Sequence, residues 1–148
     1  MGSTAKRTMV ACLLAYGVCA VPAGAAQPVS LKAESPQEQG KKVFVHVTTA
    51  SVAPLDRLRL TGRIRVSGVN TYFDPIRMGP RRAGMSHTFT LSQSHPGQRR
   101  IVRKAMKRGM ELTAKIRAKF HLLGGVKIVR KVQVQLVYRD GPGPARNS

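Results

Sequence analysis

The stretch RLRLTGRIRV, residues 57–66, alternates basic and apolar side chains with a period of two. Such alternation is typical of a β-strand with one face buried and the other in solvent. The apolar face comprises Leu58, Leu60, Ile64 and Val66, and the basic face comprises Arg57, Arg59, Arg63 and Arg65. Gly62 falls in phase on the apolar side, where a glycine indicates a bulge or a bend.

A second strand with the same alternation is predicted at residues 111–121 (ELTAKIRAKFH), with Lys115, Arg117 and Lys119 on its outward face. Further strands are predicted at 29–33, 42–48, 87–91 and 126–138. In the last of these, Arg130 occupies an apolar position, so we expect either a bulge near Val129 or a strand end that extends past the core. A hairpin connection is predicted at the sequence LLGG, residues 122–125.

Residues 96–108 (PGQRRIVRKAMKR) break the alternation, because Ile101, Val102, Ala105 and Met106 recur at helical spacing. Pro96 suits a first helical turn, and Gly109 suits a left-handed cap after the last one. One short helix is therefore predicted. Loops are predicted at 34–40, 53–56 and 68–84, where proline and glycine cluster.

These elements predict a mainly β fold of six to seven strands with one short helix between late strands. Short strands with one apolar face, in a chain of this size, favour two antiparallel sheets packed as an Ig-like β-sandwich. A small open barrel is the alternative.

The order of elements between residues 87 and 136 is HTFTL, RRIVRKAMKRG, MELTAKIRAKF, a GG turn and VKIVRKVQVQL. This order resembles the immunoglobulin-like or fibronectin-type β-sandwich modules of secreted and surface proteins of actinobacteria. The resemblance implies a sandwich fold and a non-enzymatic role, and it implies no catalytic residue. A shared fold does not by itself fix a function.

The N-terminus has the pattern of a secretory signal: Lys6 and Arg7, then the apolar run MVACLLAYGVCAV at 9–21, then PAGAA at 22–26. Cleavage after Ala25 or Ala26 fits the small residues. The apolar run is shorter than the roughly 20 residues of a membrane-spanning helix, which favours a secreted product over a retained anchor. We therefore expect a signal at 1–26, a single β-sandwich domain at 27–139 and a disordered tail at 140–148.

The chain has 148 residues and carries 26 Lys and Arg against 6 Asp and Glu, a net charge of +20. Lys6 and Arg7 are the only charged residues of 1–26, so the remaining 122 residues carry 24 basic and 6 acidic side chains, a net +18. Cys12 and Cys19 both lie in 1–26, so no cysteine follows the signal. The composition excludes an acidic disordered chain and a scaffold held by disulfides.

Catalytic and cofactor motifs are missing from the sequence. The stretch GMSHT at 84–88 begins like a nucleophile elbow but lacks its closing glycine, and neither a dinucleotide-binding nor a phosphate-binding glycine loop is present. The four histidines have no metal-ligand spacing, and the six acidic residues are scattered. We therefore predict no enzyme activity, no cofactor and no metal. The alternative is a secreted hydrolase with an unrecognised carboxylate pair, for which Glu111 and Asp74 are the residues to test.

The candidate site consists of cations on strands and helix. Its members are Arg57, Arg59, Arg63, Arg65, Arg99, Arg100, Arg103, Lys104, Lys107, Lys115, Arg117 and Lys119. If these surfaces coincide on one side of the fold, they form a patch that attracts polyanions. The competing interpretation is that the charges only solvate exposed faces and protect sheet edges from aggregation.

An anionic polymer of the cell envelope or a protein partner fits this charge best. Nucleic-acid modules add aromatic stacking platforms, whereas Tyr72, Phe73 and Tyr138 are the only aromatics predicted to be exposed, and the signal argues against nucleic acid. A membrane surface is a weaker alternative, because the apolar face of the basic helix has four residues and suits core packing. The sequence thus predicts a secreted, non-enzymatic, envelope-associated or partner-binding module, with a cationic membrane-active protein as the further alternative.

Overall fold

The computed structural model describes residues 27–139. The predicted signal at 1–26 and the predicted tail at 140–148 lie outside the described residues. Within them the helix α1 spans Pro96–Lys107 and lies between the seventh and eighth strands. The strands are β1 (Val29–Lys32), β2 (Gln37–Gln39), β3 (Phe44–Ser51), β4 (Leu55–Val66), β5 (Val69–Tyr72), β6 (Ile76–Met78), β7 (Met85–Ser92), β8 (Leu112–Leu122) and β9 (Lys127–Tyr138).

The strands form two sheets that share one core. The smaller sheet has the antiparallel order β1-β3-β7, and the larger has the order β2-β9-β8-β4-β5, with β6 also paired to β4. All pairs are antiparallel except β2 with β9. Inward residues of both sheets belong to a single buried cluster that includes Val45, Leu91, Leu60 and Phe120. The predicted sandwich and the predicted helix between late strands are confirmed.

Three short strands, β2, β5 and β6, lie in segments that the sequence predicts as loops. The turn between β4 and β5 consists of Ser67 and Gly68, which both have positive φ, +47° and +85°. A two-residue turn of this kind matches the twist of a hairpin, so the chain reverses and pairs again with β4. The described residues therefore contain nine strands instead of six or seven.

Gly62 marks a close approach of side chains, and the predicted bulge is absent there. The pairing of β4 with β8 is regular from Arg57 to Ile64, and the register shift lies between Leu55 and Arg57. A Cβ atom built on Gly62 would lie 2.5 Å from Cδ1 of Ile116 and 2.8 Å from Cδ2 of Phe73. The glycine leaves the space that these two side chains fill.

The strand β9 continues past the core without a bulge. It pairs with β8 in unbroken register from Lys127 to Leu136, so the bulge considered near Val129 is absent from this ladder. Ile128 and Val132 are only half-buried, and the Nε of Arg130 donates a hydrogen bond of 3.4 Å to the carbonyl oxygen of Val29 in the other sheet. Arg130 can occupy an inward position because the strand end lies at the margin of the core.

The helix α1 closes the sandwich on the inner side of the larger sheet. Its buried residues Val102, Ala105 and Met106 belong to the core cluster, and the helix contacts β4, β5 and β9. Pro96 occupies the first turn, and Gly109 has a φ of +78° after the helix end, as predicted. None of the helices in the described region is long and apolar enough to cross a membrane.

Candidate anion-binding site

The outer face of the larger sheet brings basic side chains of different strands into direct opposition. Arg59 of β4 lies opposite Lys119 of β8 on one side and opposite Arg77 of β6 on the other. Four residues along β4, Arg63 lies opposite Lys115. Side chains at opposed positions of an antiparallel pair have Cβ atoms about 4.5–5.5 Å apart. The cations thus form transverse rows across the sheet.

A third row extends this arrangement onto β9. Arg117 of β8 is flanked by Thr61 of β4 and by Lys131 of β9. Like charges at directly opposed positions destabilise a sheet. Solvation of the outer face does not require opposed like charges. Opposed pairs of one acidic and one basic side chain would solvate the face equally well and would stabilise the sheet.

The face contains a trough whose sides are basic. A central depression of about 530 Å³ shares the lining residues Thr61 and Arg117 with a neighbouring one of about 210 Å³, and it shares Arg63 and Lys115 with another of about 110 Å³. Seven cations line these depressions, and we call the whole the cationic trough: Arg59, Arg63, Arg65, Lys115, Arg117, Lys119 and Lys131. Tyr72 and Gln133 also line the central part, and the Tyr72 side chain is 54% exposed.

Acidic residues lie at the margins of this face. Asp56 lies 3.3 Å from the Nε of its neighbour Arg57, and Glu38 on the edge strand β2 lies 2.9 Å from Arg139. These are the two ion pairs of residues 27–139, and neither includes a cation of the trough. The positive charge of the trough is therefore left for solvent or for a ligand.

The outer face of the smaller sheet has a different character. Its paired outward positions are mostly serine and threonine, and Thr48 and Thr88 join their hydroxyl oxygens at 3.0 Å across the strands. Lys32 is the one Lys or Arg among these positions. Uniform solvation with arginine would give both faces similar charge, so the asymmetry favours a specific use of the larger sheet.

The structure divides the sequence-predicted cations into two groups. Arg57, Arg59, Arg63, Arg65, Lys115, Arg117 and Lys119 lie together on the outer face of the larger sheet. Arg99, Arg100, Arg103, Lys104 and Lys107 belong to α1, which packs on the inner side of that sheet and therefore does not line the trough. The two basic strand surfaces therefore coincide on one side of the fold, and the basic surface of the helix lies apart from them.

Sequence reasoning missed Lys131, which lines the trough, and Arg77, which lies opposite Arg59. Lys131 shares its parity with Gln133 and Gln135, so strand alternation could have placed it on the outward face. Arg77 lies in a segment predicted as a loop, so its parity carried no information. Of the aromatics predicted to be exposed, Tyr72 is exposed, Phe73 is 3% exposed and Tyr138 is half-buried with the Nζ of Lys107 5.8 Å from its ring centre.

Two other candidate groups, Asp74 and His95, make hydrogen bonds that hold the fold together. The carboxylate of Asp74 accepts hydrogen bonds from the backbone N–H of Ser94, at 3.0 Å, and from its hydroxyl, at 2.8 Å, and so joins two loops. The Nδ1 of His95 accepts a 3.4 Å bond from the N–H of Gln98 and caps α1. Among residues 27–139, three or more metal-ligating side chains do not come together at any point.

Comparison with known proteins gives distant structural neighbours. No family model matches the chain, and no curated protein matches it. Solved structures similar to it include murine CRIg (9% identity, TM-score 0.48, 76% of this chain and 98% of that one) and a protein from Archaeoglobus fulgidus (13%, 0.40, 76% and 97%). Another is Spo0M, the sporulation control protein of Bacillus subtilis (13%, 0.38, 76% and 49%). Structural similarity at such low sequence identity does not indicate a function. The resemblance to actinobacterial modules stays a prediction.

Proposed function

We propose that this protein is an exported, non-enzymatic binding module whose cationic trough holds a linear anionic polymer of the cell envelope. The observation that carries the proposal is the direct opposition of like charges along the trough, at Arg59 with Lys119, at Arg63 with Lys115 and at Arg117 with Lys131. An arrangement that costs folding stability is explained if an anion between the rows offsets the repulsion.

The dimensions of the trough favour a polymer over a small anion. Arg59 and Arg65 lie six residues apart on one strand, a distance of about 20 Å at the usual rise per residue. On β8 the outward cations Lys115, Arg117 and Lys119 are two residues apart, or about 7 Å. On β4 the outward Thr61 separates Arg59 from Arg63. A flexible chain of repeating anions can place one charge against each row, whereas a compact metabolite would touch one row.

The sequence supports the cellular setting of this proposal. The basic n-region, apolar run and small residues of 1–26 have the pattern of a secretory signal, which directs the product to the envelope or beyond it. Teichoic-type phosphodiester polymers are envelope anions with charges repeated along one chain. We propose them as the ligand class, with an acidic protein as the alternative partner of the same trough.

The proposed test measures binding of the purified protein to a teichoic-type polymer, to single-stranded DNA of equal charge and to a neutral polysaccharide. We expect the envelope polymer to bind and its affinity to fall about 10³-fold between 50 and 200 mM salt, since six or more phosphate contacts release that many counterions. Flat, weak binding at all salt concentrations would contradict the proposal. Tighter binding to DNA than to the envelope polymer would contradict the envelope assignment.

Two charge-matched variants separate the trough from net charge. The trough variant Arg117→Gln/Lys131→Gln and the helix variant Arg100→Gln/Lys104→Gln each remove two positive charges from exposed positions. We expect the trough variant to lose at least about tenfold in affinity at 100 mM salt, and the helix variant to lose much less. The polymer recovered after incubation should have its original length. Shortening of the polymer by the wild type, and loss of that shortening in Glu111→Gln or Asp74→Asn, would favour the hydrolase alternative.

A further inference from the structure

One end of the sandwich carries the most exposed large hydrophobic side chains of the described residues. Leu123 is 67% exposed, Val52 is 62% exposed and Val126 is 56% exposed. Val52 follows β3, and Leu123 and Val126 lie in the turn between β8 and β9. Clustered exposed apolar groups mark an interaction site more often than scattered ones do.

These side chains belong to neighbouring loops that backbone hydrogen bonds hold together. The N–H of Leu123 donates to the carbonyl oxygen of Pro54 at 3.0 Å, and the N–H of Val52 donates to that of Pro28 at 2.9 Å. Gly124 and Gly125 have φ values of +99° and +91°, which let the turn between Leu123 and Val126 close tightly. We call Val52, Pro54, Leu123 and Val126 the apolar tip.

Cations surround the apolar tip. Arg57 and Lys127 are exposed at the strand ends next to the tip, in one row with His121 of β8. Arg81 is exposed and exchanges two backbone hydrogen bonds of 2.9 Å with Leu55, directly after Pro54. Asp56 is the acidic residue beside them, and it is half-buried and paired with Arg57.

We infer that the apolar tip inserts into the interface of an anionic lipid bilayer, with Arg57, Arg81 and Lys127 at the level of the headgroups. Shallow apolar burial flanked by basic side chains is the arrangement that binds such an interface, and each cation near an anionic surface adds attraction. A second copy of this chain is a poorer occupant, because two identical tips would bring their cations together.

The test uses the absence of tryptophan from the sequence, which makes a single introduced tryptophan a local reporter. Leu123→Trp places it at the tip, and Val69→Trp places it at the start of β5, beside the turn at the other end of β4. With vesicles of phosphatidylglycerol and phosphatidylcholine that contain brominated lipid, we expect quenching and a blue shift for Leu123→Trp only. Vesicles of phosphatidylcholine alone should give neither. Equal quenching of both variants, or of neither, would overturn the inference.

A loss-of-function variant gives the second readout. We expect Leu123→Ser/Val126→Ser to lower partitioning into the anionic vesicles by about a hundredfold, since each large apolar side chain contributes about tenfold. Val69→Ser/Val137→Ser, at exposed positions away from the tip, should leave partitioning unchanged. A dimer in vesicle-free sedimentation that Leu123→Ser/Val126→Ser dissolves would overturn the inference in favour of a second copy.

The inference is independent of the proposed function. Leu123→Ser/Val126→Ser should bind the envelope polymer like the wild type, because none of its positions lines the cationic trough. Loss of polymer binding with intact tip quenching would contradict the proposed function alone. Loss of tip quenching with intact polymer binding would contradict the bilayer site alone.

Discussion

The substitution Gly62→Ala tests how tightly the neighbouring side chains Ile116 and Phe73 pack over the centre of β4. The added methyl group would lie 2.5 Å from Cδ1 of Ile116 and 2.8 Å from Cδ2 of Phe73, about 1 Å inside ordinary carbon–carbon contact. Overpacking of a core costs about 1–3 kcal/mol. Alanine also lowers the conformational entropy of the unfolded chain, which stabilises the folded state by about 0.4–1 kcal/mol. The free energy of unfolding should fall by about 1–2 kcal/mol.

The measurement is urea unfolding followed by circular dichroism, with Gly40→Ala as the control. Nothing lies within 4 Å of a Cβ atom on Gly40, so its substitution should leave stability unchanged or raise it slightly. Ile116→Val removes the Cδ1 atom that the new methyl group meets. It should cost about 0.5–1.5 kcal/mol in the wild type and clearly less in Gly62→Ala. Equal unfolding free energies for Gly62→Ala and Gly40→Ala would refute the close approach. Strictly additive losses for Gly62→Ala and Ile116→Val in the double variant would refute it as well.

Two further predictions concern the loops and the charged face. Asp74→Ala should lower the free energy of unfolding by about 1–2 kcal/mol in the urea assay, because Ser94 loses the acceptor of two hydrogen bonds; an unchanged midpoint would contradict this role. Arg59→Gln should raise the free energy of unfolding by a few tenths of a kcal/mol, because it removes a cation that lies between Lys119 and Arg77, and the gain should be larger at low salt. The same variant should weaken polymer binding. Arg57→Gln, which removes a cation already paired with Asp56, is the control that should not stabilise.

Elements with a strong period could be predicted from the sequence, and elements that depend on pairing partners could not. The strands β4 and β8 follow directly from their alternation, and the helix follows from the change of spacing after Pro96. The short strands β2, β5 and β6 have too few residues to show a period, and they exist because β9 and β4 offer them backbone partners.

The candidate site shows the same limit. Outward parity identifies Arg59, Lys119 and Arg117 as exposed, yet their alignment into rows depends on the register between strands that are 60 or so residues apart in the chain. The position of α1 on the inner side of the sheet likewise depends on tertiary packing. Its basic residues resemble those of the strands in composition, and only packing separates them from the trough.

The most direct test of the central claim is the salt dependence of polymer binding in the wild type, the trough variant and the helix variant. Each phosphate contact contributes about 0.7–0.9 to the slope of log K against log salt. We expect the slope of Arg117→Gln/Lys131→Gln to be shallower than that of the wild type by about 1.4–1.8, from two lost contacts. Arg100→Gln/Lys104→Gln should keep the wild-type slope. Equal changes of slope in both variants would show that the polymer senses only net charge, and would contradict a binding site in the trough.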